Sequence, residues 1–353
     1  MNTSKIRKIL SELSARPLAD LGALEYLLSL DEPREMDILF GFADRVRQRF
    51  MGDGVLLRGI IEFSNHCRND CLYCGLNRNN IGLKRYRMDR EQVLAGVAKL
   101  HAQGVRTVVL QSGEEDGLDP LWLQELILRI KKDFPMAITL SLGERSLQDY
   151  RLWRKAGADR YLLKIETTDH RLYRQLHPGM DMENRLACLE GLKELGYQVG
   201  SGNIIGFKGQ TLRSIAEDIL FFQREDFAMI GIGPFIPHPD TRLGAQEKGN
   251  VPLVLKTLAI TRIVTRNTHL PATTALGSCG ADFRPAALKA GANVLMPNFT
   301  PQPYRGLYQI YPGKRCIDEP VGACAFCMDE MARSLGRHID YSRGDSLKKT
   351  EKF

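Results

Sequence analysis

Residues 55–75 read Val55-Leu56-Leu57-Arg58-Gly59-Ile60-Ile61-Glu62-Phe63-Ser64-Asn65-His66-Cys67-Arg68-Asn69-Asp70-Cys71-Leu72-Tyr73-Cys74-Gly75. The first ten have the near-continuous apolar character of a strand buried on both faces. Three cysteines follow within eight residues, spaced by three residues and then two, with no fourth nearby. Thiolates select iron–sulfur clusters or zinc, and a closed site of either kind wants four ligands. On a cubane cluster, three thiolates hold three irons and leave the fourth open to a non-protein ligand. On zinc, His66 would have to be the fourth ligand, although it abuts Cys67. Buried structural cysteine explains isolated thiols, not three at one strand end.

Outward from this stretch, β-rich runs alternate with helical patterns about every 30 residues, as in βα units. The expected strands are 55–64, 106–113, 137–143, 160–167, 198–207, 229–237, 269–276 and 293–298. Helical patterns lie over 90–103, 121–133, 147–157, 183–196, 212–225 and 253–265, with Gly104, Gly157, Gly196 and Gly291 placed as left-handed caps. Eight such units predict an α/β fold, a parallel TIM-type (β/α)8 barrel whose site lies at the carboxyl ends of the strands. Residues 1–54 are expected to form two or three outer helices and 55–298 the barrel. Residues 299–353 make a C-terminal extension, with a charged, frayed end from Ser342.

Composition is ordinary for a globular chain, at 43% hydrophobic and 26% charged. No apolar run reaches the length of a membrane-spanning helix, and the first residues lack a secretory pattern, so the cytoplasm is the expected compartment. Eight cysteines there read as metal ligands and reduced thiols. The net charge of +7 is spread among acids, with small clusters at 45–49 and 84–87. No basic stripe with interleaved aromatics marks nucleic acid as a partner.

Polar residues gather at the other strand ends. Gln111-Ser112-Gly113-Glu114 ends the second strand, where a glycine allows close backbone approach and a carboxylate can accept from an ammonium. Lys164 and Glu166 lie two apart and so share a face of the fourth strand, where unpaired charge is costly unless a polar site uses it. Arg185 opens the following helix and could fork onto a carboxylate. Thr139, Thr273 and Thr274 supply hydroxyls, and His238 is a further candidate substrate contact. A second trio, Cys316, Cys324 and Cys327, suits an auxiliary iron–sulfur cluster or structural zinc.

The cysteine loop, with Tyr73 before its last cysteine, resembles the signature of the radical S-adenosylmethionine (radical SAM) enzymes. Longer strings resemble one family of them, the HydE maturases of FeFe-hydrogenase. These include Ile61–Asn65, Lys84–Met88, Val109–Glu114, Thr139–Glu144, Gly157–Leu163, Ile230–Thr241, Pro271–Ala275 and Gly291–Gly313. The resemblance implies a 4Fe–4S cluster on Cys67, Cys71 and Cys74 that binds SAM, and an auxiliary 2Fe–2S or 4Fe–4S cluster on Cys316, Cys324 and Cys327. It implies cofactor contacts at Tyr73, Gln111, Ser112, Gly113, Glu114, Thr139, Glu166 and Arg185. Thr273, Thr274, Met296, Tyr308 and Tyr311 would line a substrate cavity. The implied reaction releases a 5′-deoxyadenosyl radical from SAM during assembly of the H-cluster di-iron subsite. A small organometallic or amino-acid-derived substrate, an electron donor such as ferredoxin or flavodoxin, and other maturation proteins are the implied partners. Against the GGE motif of radical SAM barrels Ser112 stands in the first glycine slot, and the family pattern is departed from at Lys164, where some relatives carry arginine. Lysine lacks the bidentate fork. Competing readings are methylornithine synthase, a biotin-synthase-like sulfur inserter, and a non-catalytic iron–sulfur carrier.

Overall fold

The computed structural model describes residues 3–15, 17–315, 317–318 and 323–348, with 323–325 described by backbone alone. The first expected strand is interrupted at Arg58, giving β1 (Gly54–Leu57) and β2 (Gly59–Ser64). A parallel sheet then runs in chain order from β2 through β3 (Thr107–Ser112), β4 (Ala137–Ser141), β5 (Arg160–Leu162) and β6 (Gln198–Ile205) to β7 (Met229–Pro234). Beyond β7 the ladder thins to single parallel bridges, Met229 to His269 and Pro271 to Val294. It resumes at β8 (Val294–Leu295), which pairs in parallel with β1, and Asn298 bridges to Ile60. The ring closes, and the fold is the (β/α)8 barrel of the sequence reading.

Three strands are much shorter than expected, one of them 293–298, which is regular only over Val294–Leu295. Only His269 and Pro271 of 269–276 pair, and Thr274–Ser278 forms a 3-10 helix instead. Pro271 has no N–H to give to a ladder. The fourth strand stops at Leu162, and its continuation touches β6 through a lone bridge, Glu166 to Asn203.

The crossover helices start on side-chain caps, among them Asp89, Asp119, Ser146 and Thr211. Gly104, Gly157, Gly196 and Gly291 take the positive φ expected of them, 81°, 112°, 74° and 108°. Their apolar stripes cover the barrel; each buried leucine or isoleucine contributes about 1.5–3 kcal/mol. Helices Thr3–Ala15, Leu21–Leu28 and Pro33–Met51 pack on Leu212–Glu225 and Val251–Thr265. The latter is sandwiched and so buried along its length from Val254 to Thr265.

The C-terminal segment does not fray at Ser342. β9 (His338–Asp340) adds in parallel beside β1, and residues 343–346 cross the N-terminal mouth of the barrel. There Arg160 donates to the Arg343 carbonyl at 2.8 Å and to Asp345 Oδ1 at 2.7 Å. Thr107 Oγ1 and Arg58 donate to the carbonyls of Arg343 and Gly344. These partners stand at strand starts, so the floor is closed and the working end is the opposite one.

Candidate functional site

Past Ser64 the chain folds back as a loop carrying Cys67, Cys71 and Cys74. Buried Asn65 donates to the carbonyls of Lys84 and Leu307, and its own Oδ1 accepts from the Tyr86 N–H at 2.7 Å. The Arg85 guanidinium lies beneath the loop and donates to the carbonyls of Asn65 (2.6 Å), Leu76 (2.9 Å) and Asn77 (2.7 Å). Asn77 and Asn80 donate to the carbonyls of Cys74 and Gly75. Loop carbonyls, which helix and sheet cannot satisfy here, thus find rigid partners. Two glycines are required by packing. A Cβ at Gly113 would collide with the His66 carbonyl, and one at Gly75 with the Gln309 carbonyl and the His238 ring.

The three thiols feel one another. Burial first, then Cys67, pushes Cys74 up to about 12. Burial, with Cys74 and Cys67 after it, holds Cys71 well above the ordinary thiol range. A trio of thiolates is therefore favoured only with a cationic centre among them. Among the described residues no three His, Cys, Asp or Glu side chains approach closely enough to hold a single ion.

Cys71 and Cys74 border a cavity of about 340 Å³ inside the barrel mouth. Lys164 and Glu166 face it from beyond β5, 2.8 Å apart. Glu166 holds a left-handed backbone, φ 66°. Its Oε2 is buried without a well-aligned hydrogen bond, and so is Thr139 Oγ1. Arg185, buried, is aimed by Glu144 at 2.6 Å and by the Lys164 carbonyl at 2.7 Å. On the far wall Thr274 Oγ1 and Tyr311 OH share a hydrogen bond of 2.8 Å, beside Thr273 and Met296. Thr139 Oγ1 without a partner, the Lys164–Glu166 pair, one buried guanidinium and three thiols are a polar set that fits a thiolate-bound cluster with SAM on it.

Of the expected site residues, Cys71, Tyr73, Cys74, Gln111, Glu166, Arg185, Thr273, Thr274, Met296 and Tyr311 border this cavity. Tyr73 turns its hydroxyl to His177 Nε2 at 3.0 Å. Burial keeps His177 neutral, at about 3, with Nδ1 donating to the Tyr173 carbonyl. Tyr308 lies behind the wall, its hydroxyl accepting from Gln111 at 3.2 Å. Ser112, Gly113 and Glu114 are set back from it. Glu114 spends both carboxylate oxygens on Arg68 and on the Glu144 N–H. Cys316 lies outside the described residues, as does the Cys324 side chain, while Cys327 is exposed.

Sequence reasoning passed over Glu62, Lys314, Glu144 and Asp218. Glu62 pairs with Lys314 at 2.6 Å and ties the segment after Tyr308 to β2; an acid in an otherwise apolar strand was the available signal. Asp218 was likewise marked as an acid on the apolar face of its helix, beside Ile215, Ile219 and Phe222.

A family model described as the radical SAM superfamily matches residues 61–222. The chain is 48% identical over 332 residues, 94% of either protein, to the FeFe hydrogenase maturase subunit HydE of Thermotoga maritima. It is 29% identical to 3-methylornithine synthase of Methanosarcina acetivorans, over 77% of each. Among solved structures, methylornithine synthase PylB superposes with a TM-score of 0.84 at 25% identity, covering 94% of this chain and 97% of the other. With nearly half its residues shared with the Thermotoga maturase over almost its whole length, the chain belongs to the HydE family of radical SAM proteins.

Proposed function

We propose that this chain cleaves SAM reductively at a cluster on Cys67, Cys71 and Cys74 and acts in assembly of the di-iron subsite of FeFe-hydrogenase. The observation that carries the reading is a three-thiol loop opening onto a largely apolar cavity, in a chain 48% identical to a HydE maturase. A cluster with SAM on it supplies one-electron cleavage of the sulfonium carbon–sulfur bond. Arg85 and Asn65 keep the thiol loop in one shape. Glu166 and Thr139 offer acceptors to hydroxyl or ammonium groups, and Arg185 offers a fork to a carboxylate. Leu162, Ile204, Phe235 and Ile236 keep water from the reacting atoms, which a carbon radical requires. Lys164, Thr273, Thr274 and Tyr311 hold a small substrate that is anionic or hydrogen-bonding.

The division into outer helices (1–54), barrel (55–298) and C-terminal extension (299–353) belongs to the same reading, with an auxiliary cluster on Cys316, Cys324 and Cys327. Among the described residues no helix is long and apolar enough to cross a membrane, which accords with work in the cytoplasm. The test is 5′-deoxyadenosine formation from SAM and dithionite. Cys71→Ala should abolish it and Cys324→Ala should leave it largely intact; no product from the reconstituted wild type, or equal loss in both variants, refutes the assignment.

A further inference from the structure

The cysteine loop has an outer face as well as an inner one. Over it lies a polar cleft of about 450 Å³, bordered by Arg68, Arg78, Glu114, Asp116 and Met180. Met180 Sδ is 4.0 Å from Cys71 Sγ, so one side chain separates the cleft from a cluster ligand. The acids around the cleft are occupied. Glu114 and Asp116 each pair with Arg68 at 2.8 Å, Asp70 with Arg242, and Glu144 with Arg185. Asp181 caps the helix Met182–Glu194.

Two cations of the same loop are not: Arg78, which borders the cleft, and Lys84, six residues further on. Among the described residues neither Arg78 nor Lys84 has an ion pair, and from Cys71 to Met88 the sequence holds Arg78, Lys84, Arg85 and Arg87 with no acid. Between Arg78 and Lys84 stands Ile81, 98% exposed. Its turn is not a loose one, because buried Asn77, Asn80 and Leu83 alternate with these exposed residues. Asn77 and Asn80 are the same residues that bond to the carbonyls of Cys74 and Gly75. A rigid turn that offers a bare isoleucine between unpaired cations, at the back of a redox centre, has the composition of a docking tip. Covering Ile81 contributes about 1.5–3 kcal/mol, and the cations speed encounter with an acidic partner.

We infer that Arg78, Ile81 and Lys84 form the docking surface for a small acidic one-electron carrier protein, seated over the cleft above Met180 and Cys71. The inference rests on the proposed function, since reductive cleavage needs one electron per SAM and a protein carrier cannot enter the barrel. One electron passes from the carrier to the cluster; the carrier is oxidised by one electron, the cluster is reduced by one, and no bond or proton moves. A second copy of this chain is a poor occupant, as both would bring a net charge of +7.

The test uses a bacterial flavodoxin as probe and the full chain, with and without reconstituted cluster, in titration calorimetry at low and physiological salt. R78E/K84E and I81D should each weaken flavodoxin binding about tenfold, and the double variant should lose most of the salt dependence. Dithionite-driven 5′-deoxyadenosine formation should stay within about twofold of wild type in every variant, while the flavodoxin-driven rate falls. Unchanged binding in both variants overturns the surface. So does parallel loss with dithionite, absence of flavodoxin binding by the wild type, or binding of phosphatidylglycerol vesicles to the same residues instead. A wild type that forms no product with dithionite defeats the proposed function, whereas the calorimetry still decides the docking surface.

Discussion

Three non-glycine residues among those described hold positive φ, and two of them, Asp226 and Arg266, simply end helices. Glu166 is the third, and it faces the cavity. A left-handed glutamate costs roughly 1–2 kcal/mol. It persists because its N–H donates to the Gly202 carbonyl at 3.0 Å while its carbonyl accepts from Ile204. The strained turn holds the carboxylate at the cavity wall, against Lys164. Its position was legible in the sequence from the two-residue spacing to Lys164. Its backbone was not, since no glycine or asparagine marks the turn. Removing the carboxylate in Glu166→Ala should weaken SAM binding about tenfold, the order of one charge-assisted hydrogen bond. Equilibrium titration of SAM into the reconstituted protein checks this, and an unchanged dissociation constant would remove Glu166 from the site.

At the scale of elements, the end of β5 is held by the helix outside it. Asp218, on Leu212–Glu225, accepts from the Thr168 N–H (2.6 Å), the Thr168 hydroxyl (2.7 Å) and Asn203 Nδ2 (2.8 Å). It thereby pins both flanks of Glu166. Among the described residues no cation pairs with it, and burial raises its carboxyl to about 6. A raised carboxyl binds its proton more tightly folded than unfolded, so stability from this group falls as pH rises from about 4 to about 6. In Asp218→Asn the amide can donate to Asn203 Oδ1, which now has no partner, once the Asn203 amide turns over. The variant should therefore equal the wild type near pH 4 and exceed it above pH 6, by an order of 1–3 kcal/mol. Urea unfolding across that range measures it; a variant less stable than wild type at pH 8 would contradict the account. Helix starts and glycine caps were readable because they rest on local chemistry. Strand lengths at 160–167 and 269–276 were not, because they depend on which neighbour the chain meets.

At the scale of the molecule, the barrel was visible in eight alternating patterns, and the placement of the cysteine loop followed from it. The closure of the floor was not visible. Residues 342–348 read as a charged tail, and only the folded barrel supplies the starts of β3, β5 and β2 as their partners. Arg160 has 3% of its side chain exposed, and Asp345 is its carboxylate partner. Asp345→Ala should destabilise the protein by about 1–3 kcal/mol, less than a fully buried pair because Asp345 is half-exposed. It should also speed amide exchange at residues 343–346. Thermal unfolding and exchange mass spectrometry test both, and wild-type exchange in the variant would show that the backbone bonds suffice.

The strand that shelters β1, and the crossing that follows it, have a consequence for biosynthesis. A ribosome makes β1 and the cysteine loop early, and makes β9 and residues 343–346 hundreds of residues later, so their pairing is among the longest-range contacts in the chain. The base of the barrel is accordingly the last part of the molecule able to form. A nascent chain halted before His338 carries all three cysteines of the first trio but none of the residues that close the barrel beneath them.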